Sequence, residues 1–327
     1  MNLTREQRLI DLIKQITGEN LIGDDCALLK GQTLVSSDML VEGKHFLLPQ
    51  ISYDDLGWKA MAVNLSDIAA MAGTPEFAVV NIAMPPNLSD VEFRRLYASM
   101  TECARSHGTR IVGGDLTGSS MLVISITVLG KPPASGDFLR ASASPGYVVI
   151  VSGDFGASSL GLELILRGEM ADAKNSYALR RHLRPEPRFD QARLLADAVG
   201  GLPAARQQIG RVAMMDASDG LADALLQIAS ASKVSISIDE LKVPIHPEVK
   251  QRAAQLGLNL TELALYGGED YELVACVHPD LWREIETQSG NDFRQIGCVK
   301  LGDEVVLIDA ADKSIRIESN KTFQHWK

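Results

Sequence analysis

The sequence predicts two α+β domains, and three observations lead there. Stretches of strand-like alternation and helix-like periodicity succeed one another along the chain, without the strict βαβ spacing of a dinucleotide fold. At 327 residues the chain is long enough for two domains. One segment, Lys131-Pro132-Pro133-Ala134-Ser135-Gly136, has the composition of a boundary and divides residues 1–136 from residues 137–327.

The elements follow in order. Thr4-Arg5-Glu6-Gln7 fits a capping box, and Leu9, Ile10, Leu12, Ile13 and Ile16 repeat at helical spacing behind it. A strand is expected over Thr33 to Ser37, running into Asp38, then a helix from about Asp54 to Met71 and a strand over Phe77 to Met84. Ser89-Asp90-Val91-Glu92 opens a second capped helix that ends near His107-Gly108. Short strands follow at Arg110 to Val112 and Met121 to Leu129. In the second half, strands are expected at Tyr147 to Val151, Val234 to Ile238, Tyr271 to Val277 and Val305 to Ile308, with helices at Ser158 to Arg167, Arg188 to Val199 and Leu221 to Ser232.

Composition removes several classes of function. With 32 Lys and Arg against 42 Asp and Glu, the net charge of −10 argues against a nucleic-acid binder. Cys26, Cys103, Cys276 and Cys298 lie far apart with no C-x-x-C pair, against a zinc or disulfide framework and in keeping with a reducing cytoplasm. Arg5, Glu6 and Arg8 leave no apolar signal core, and no apolar run reaches the length of a membrane span. A cytoplasmic protein with no membrane partner is expected.

Six acidic clusters carry the chemistry: Gly23-Asp24-Asp25, Ser36-Ser37-Asp38, Asn64-Leu65-Ser66-Asp67, Gly113-Gly114-Asp115, Asp216-Ala217-Ser218-Asp219-Gly220 and Gly267-Gly268-Glu269-Asp270. Each sits where an apolar stretch meets Gly, Ser or Asn, so each carboxylate is expected on a backbone turn. One such Asp would be read as a cap or turn residue; six together point to hard oxygen ligands for Mg²⁺ that also holds phosphates. Asp24 keeps the turn reading, because adjacent residues of an extended chain point oppositely. No G-x-x-x-x-G-K-[ST] occurs, and no protein-kinase signature, so carboxylates and metal would do the work of a lysine-bearing phosphate loop.

Taken with their neighbours, these segments resemble the thiamine-monophosphate kinases. The strings are Gly23 to Ala27 (GDDCA), Asp38 to Phe46 (DMLVEGKHF), Lys59 to Asp67 (KAMAVNLSD), Gly113 to Asp115, His182 to Pro185 (HLRP), Asp216 to Leu221 (DASDGL) and Gly267 to Leu273 (GGEDYEL). They occur in the family's order along nearly the whole chain. The resemblance implies a two-domain aminoimidazole-ribotide synthetase-like fold and a homodimer in which the N-terminal sheets pair. It implies that residues 1–136 bind ATP and Mg²⁺ and dimerise, while residues 137–327 complete the cleft. It also implies transfer from ATP to thiamine monophosphate, giving thiamine diphosphate, with several Mg²⁺ ions and no general base. Carried over residue by residue, Asp25, Ser36, Ser37, Asp38, Asp67, Asp115, Asp216 and Asp219 match metal positions. Gly114, Asp115, Arg140 and Ser218 match ATP contacts; His45, Glu269 and Phe323, with Trp326 as the alternative aromatic, match substrate contacts. The rival readings are another ATP-dependent synthetase of the same superfamily and a non-catalytic nucleotide or metal sensor. Taken singly, Arg140 reads as a linker arginine, and Tyr271 and Glu272 read as structural residues of a strand.

Overall fold

The structure is a computed structural model that describes residues 5–30, 32–170, 176–290 and 292–323. Its first half runs α1 (Arg5–Thr17), β1 (Ala27–Leu29), β2 (Thr33–Val41), α2 (Tyr53–Ala70), β3 (Thr74–Met84), α3 (Asp90–Ser106), β4 (Arg110–Gly118) and β5 (Val123–Lys131). The strands form one sheet in the order β1-β2-β5-β3-β4. Only β3 and β4 run parallel, because α3 carries the chain back between them; the other pairs are antiparallel.

On β5, Ile124, Ile126 and Val128 are buried while Val123, Ser125 and Thr127 are only half-buried, the alternation of a sheet covered on one face. The cover is α2, thirteen of whose eighteen residues are buried. A helix buried on most sides is a central element and not a surface one. Ser52 caps its start by accepting the Asp55 N–H. Gly57 lets α3 approach: a Cβ there would lie 2.2 Å from the Leu96 carbonyl oxygen. The Ser89–Glu92 capping box opens α3 as the sequence suggests.

The second half runs β6 (Val148–Ser152), α4 (Ala157–Leu166), α5 (Tyr177–Leu183), α6 (Phe189–Gly200), β7 (Ala213–Asp216), α7 (Leu221–Ser232), β8 (Ser235–Asp239), α8 (Pro247–Leu256), α9 (Leu260–Tyr266), β9 (Leu273–Val277), α10 (Pro279–Ser289), β10 (Phe293–Lys300), β11 (Val305–Ile308) and β12 (Ser314–Arg316). Its sheet has the order β12-β11-β8-β10-β6-β9-β7. The two halves share a core: Ala157, Leu160 and Leu164 of α4 and Leu179 of α5 pack in one cluster with Leu56, Met61 and Ile126. At the far end of α2, Ala70 joins a second cluster with Ile150 and Met214 of the other sheet.

Several expectations need correction. β4 does not stop at Val112 but continues through Gly113-Gly114-Asp115 to Gly118, because pairing with β3 overrides the turn tendency of two glycines. Gly114 has φ +154° and its missing Cβ would fall 1.7 Å from the Val80 carbonyl oxygen, so close strand approach by itself demands glycine there. Asp38 lies inside β2 and Asp67 inside α2, not on turns. Tyr271 and Glu272 precede β9, and Tyr271 takes a left-handed φ of +51° instead of a strand conformation. Helices α5, α8, α9 and α10 and strands β1, β7, β10 and β12 are not among the elements the sequence predicts. Thr4 of the N-terminal capping box and Trp326 lie outside the described residues.

Candidate active site

Secondary structure aims the first group of side chains. Ser36 and Asp38 are two apart on β2 and so share a face. Opposite them, α2 presents Asn64 and Asp67: Asn64 Oδ1 accepts the Asp38 N–H at 2.9 Å, and Ser36 donates its hydroxyl to Asp67. One residue before Asp67, Ser66 donates to Asp216, which ends β7 in the other sheet. Asp25 arrives from the segment before β1. Asp25, Asp67 and Asp216 each place a carboxylate oxygen within 4.8 Å of the others.

Such crowding is electrostatically costly. Burial, then the charges of Asp38, Asp216 and Asp25, raise the Asp67 carboxyl well above the usual range. Burial and the neighbouring Asp25 push Asp216 up to about 7. Asp25 is also raised by burial, although Arg140 opposes this with Nη2 2.6 Å from Oδ1. The second oxygen, Asp25 Oδ2, is buried and has no hydrogen-bond partner. A buried carboxylate and two partly buried ones, with an orphaned oxygen among them, suit a hard divalent cation. At Mg–O distances of about 2.0–2.1 Å, two ligands of one ion lie at most about 4 Å apart, so oxygens within 4.8 Å of one another could share an ion with little side-chain adjustment.

Arg140 is the hub beside this trio. Its backbone N–H donates to Asp24 Oδ1 at 2.8 Å, which gives Asp24 a structural task, and its Nη1 donates to Gln227 on α7. Its Nε is buried with no hydrogen-bond partner. Other expected ligands stand apart. Ser37 points to the opposite face of β2, where its hydroxyl meets Thr127 Oγ1 at 3.0 Å and the Ile126 carbonyl at 3.1 Å. Asp115 and Gly114 lie on the edge strand β4, three strands from β2, about 14 Å along the sheet at ordinary strand spacing. Ser218 and Asp219 form the turn before α7, and the Ser218 carbonyl accepts the Glu269 N–H at 2.6 Å.

That bond fixes a second group. Glu269 holds a left-handed φ of +66°, unusual for a residue other than glycine. Its carboxylate meets Lys59 Nζ of α2 at 3.0 Å and His182 Nδ1 of α5 at 3.4 Å. Against burial, Lys59 and then His182 hold the Glu269 carboxyl below its usual range, and His45 contributes in the same sense. Next to it, the Asp270 carboxylate accepts the N–H groups of Gly156 and Ser158 at the start of α4. His45 closes the turn after β2 by accepting the Val41 N–H at Nδ1. Phe323 is half-exposed; two residues earlier, Lys321 sits over the Tyr266 ring at the end of α9, three residues before Glu269. Glu272 belongs to a buried network with Arg181, Arg188 and Ser152, which supports its structural reading.

His182 yields a prediction about stability. Burial, then Lys59, hold its pKa at about 4 against an ordinary 6.5. Between those values the unfolded chain binds a proton that the folded chain refuses. The contribution to stability is therefore full above pH 6.5 and falls away as pH drops towards 4. At full effect the gap is worth about 3 kcal/mol. A His182→Gln variant should show a flatter decline of melting temperature across that window; a decline parallel to the parent's would remove His182 as its cause.

Lys59, Ser66 and His182 fall within the motif strings, but the sequence assigns them no role. Lys59 did carry a signal: a single cation ahead of the apolar run Ala60-Met61-Ala62-Val63 in a helix with no polar stripe to hold it.

Comparison with known proteins places this arrangement in a class. The model of the AIR synthase related protein N-terminal domain matches residues 23–131, and that of the C-terminal domain matches residues 144–310. A thiamine-monophosphate kinase of Bacillus subtilis is 35% identical over 97% of this chain and 99% of its own length. The crystal structure of thiamine monophosphate kinase from Aquifex aeolicus superposes with a TM-score of 0.80 at 32% identity, covering 96% of this chain and 99% of the other. A further structure, AaThiL complexed with AMPPCP and TMP, gives a TM-score of 0.82 at 31% identity, covering 97% and 98%. The chain belongs to the thiamine-monophosphate kinase family.

Proposed function

We infer that this chain transfers the γ-phosphoryl group of ATP to thiamine monophosphate, giving thiamine diphosphate and ADP. The observation that carries the reading is the convergence of Asp25, Asp67 and Asp216 where the two sheets meet, in a chain 35% identical to a thiamine-monophosphate kinase along almost its whole length. The relative that holds AMPPCP and TMP together supports ATP and thiamine monophosphate as the two substrates.

Asp25, Asp67 and Asp216 would hold Mg²⁺, with Ser36, Asp38 and Asp219 as further ligands of a several-ion site; Ser37, on the opposite face of β2, and Asp115, three strands away, are not brought to this trio within one chain. When bound, Mg²⁺ would offset the repulsion between two phosphate groups and stabilise charge on the group in transfer. Gly114, Asp115, Arg140 and Ser218 face the nucleotide, and His45, Glu269 and Phe323 the thiamine end. Acceptor phosphate oxygen is already ionised near neutral pH, so the chain needs no general base. Its own residues orient the two phosphates and aim the carboxylates, whose ionised form a bound divalent cation would favour against burial and mutual repulsion.

The domains are 1–136, for nucleotide, metal and dimerisation, and 137–327, completing the cleft. A homodimer through the five-stranded sheet is supported by the face that α2 and α3 leave open, on which Met39 is 54% exposed. Among the described residues no helix is long and apolar enough to cross a membrane, which accords with a cytoplasmic enzyme. A coupled ADP assay across candidate acceptors tests the function: ADP should appear with thiamine monophosphate. Turnover confined to a different acceptor would mean another synthetase of the superfamily, and ATP binding without any turnover would mean a sensor.

A further inference from the structure

We propose that Lys59 is a positioning residue of the acceptor site, fixing the Glu269 carboxylate that faces the thiamine end of the substrate. The proposal rests on the placement of Glu269 in that site and adds a residue from the other half of the molecule.

The geometry separates the two partners. The Lys59 side chain is 0% exposed, and its Nζ lies 3.0 Å from both Glu269 oxygens. The Glu269 side chain is 26% exposed. Only the carboxylate can reach a ligand, so Lys59 acts through it. The backbone under Glu269 is held in the same spirit: φ values of +66° and +51° at Glu269 and Tyr271 persist because the Ser218 carbonyl and the start of α4 grip the segment. His182 does not compete for the carboxylate as a second cation, since burial keeps its ring neutral near pH 7. Nor does it form a relay, because Ser158 and Glu269 both approach the same ring nitrogen, Nδ1.

Lys59 and Glu269 therefore form a charge-balanced pair before any substrate arrives. Glu269 serves as an acceptor of fixed direction, and a cationic ligand meets a carboxylate that is already compensated. Joining the two halves does not by itself explain the pair. Ser66 with Asp216, Trp58 Nε1 with the Pro185 carbonyl at 2.9 Å, and Arg184 with Asp55 at 2.6 Å already tie α2 to the second half. None of those ties leaves a strained, partly open carboxylate beside a buried cation.

The test is steady-state kinetics of the purified protein, varying thiamine monophosphate and ATP separately, for Glu269→Gln, Lys59→Met, Lys59→Arg and the Lys59→Met/Glu269→Gln double variant. Lys59→Met should raise KM for thiamine monophosphate roughly tenfold, as loss of a fixed acceptor carboxylate implies, with KM for ATP within about twofold. Lys59→Arg should recover part of the loss, and the double variant should be no worse than its more impaired parent. Equal effects on both substrates, or additive effects in the double variant, would overturn the proposal. Should Lys59→Met fail to fold around an uncompensated Glu269, the double variant, which lacks both charges, decides. A KM equal to that of Glu269→Gln supports the proposal, and a further tenfold rise refutes it. If Glu269→Gln alone leaves KM for thiamine monophosphate unchanged, the acceptor-site placement of Glu269 fails instead, independently of Lys59.

Discussion

Asp67→Asn and Asp216→Asn should each lower kcat by roughly 10²–10³-fold, the scale on which removing one pre-set electrostatic group from an active site is felt. Each substitution removes a ligand charge and keeps the shape that receives Ser36 or Ser66. The fold should survive, because these carboxylates are already pushed towards protonation by burial and by one another. Without metal, the variants should melt no lower than the parent, since each relieves repulsion within the trio. With Mg²⁺ added, the parent should gain melting temperature as a ligand binding the folded state requires, and the variants should gain much less. A variant with parental turnover at saturating Mg²⁺, or an undiminished Mg²⁺ shift, would contradict the ligand assignment.

A second large effect is expected at the acceptor end. Glu269→Gln, His45→Ala and Phe323→Ala should weaken thiamine monophosphate far more than ATP. For Phe323 the loss of a cation–π partner is worth about 0.5–2 kcal/mol, a few-fold to about thirtyfold in affinity. His45→Ala also removes the acceptor for the Val41 N–H and so loosens the turn after β2, which makes ATP affinity the necessary control. Titration of each variant with both ligands decides the matter: equal weakening for ATP would move these residues to the nucleotide side.

The sequence made the outline legible where local pattern and tertiary demand agree. The helix over Leu221 to Ser232 and the strand over Val305 to Ile308 fall where periodicity put them. So does the capping box at Ser89. Disagreement arose where tertiary pairing overrode local chemistry. Gly113-Gly114 looks like a turn, yet it runs as edge strand against β3, which needs the missing Cβ of Gly114. Asp67 follows Asn64 and Ser66 in an acidic cluster that suggests a turn, whereas the helical periodicity runs on to Met71; the helix prevails, and burial within it is what raises the Asp67 carboxyl. The site was legible as a set of residues and not as an arrangement. Nothing local says that Asp25, Asp67 and Asp216 converge while Asp115 lies three strands away, because strand order is not written in any one segment. Lys59 was hidden for a related reason: its partner is 210 residues distant and on the other half of the molecule.

The chain is expected to hold donor and acceptor phosphates together and to pass the phosphoryl group straight between them. Covalent relay helps when an acceptor is a poor nucleophile or cannot be brought beside the donor, and an ionised phosphate is neither. Cys26 is buried beside the trio, and its thiol is driven far up by burial and by the charge of Asp67. The most direct measurement is the stereochemistry of transfer from ATP made chiral at the γ-phosphorus to thiamine monophosphate. Inversion at phosphorus is the predicted result; retention, or a protein that becomes ³²P-labelled from ATP in the absence of acceptor, would contradict direct transfer.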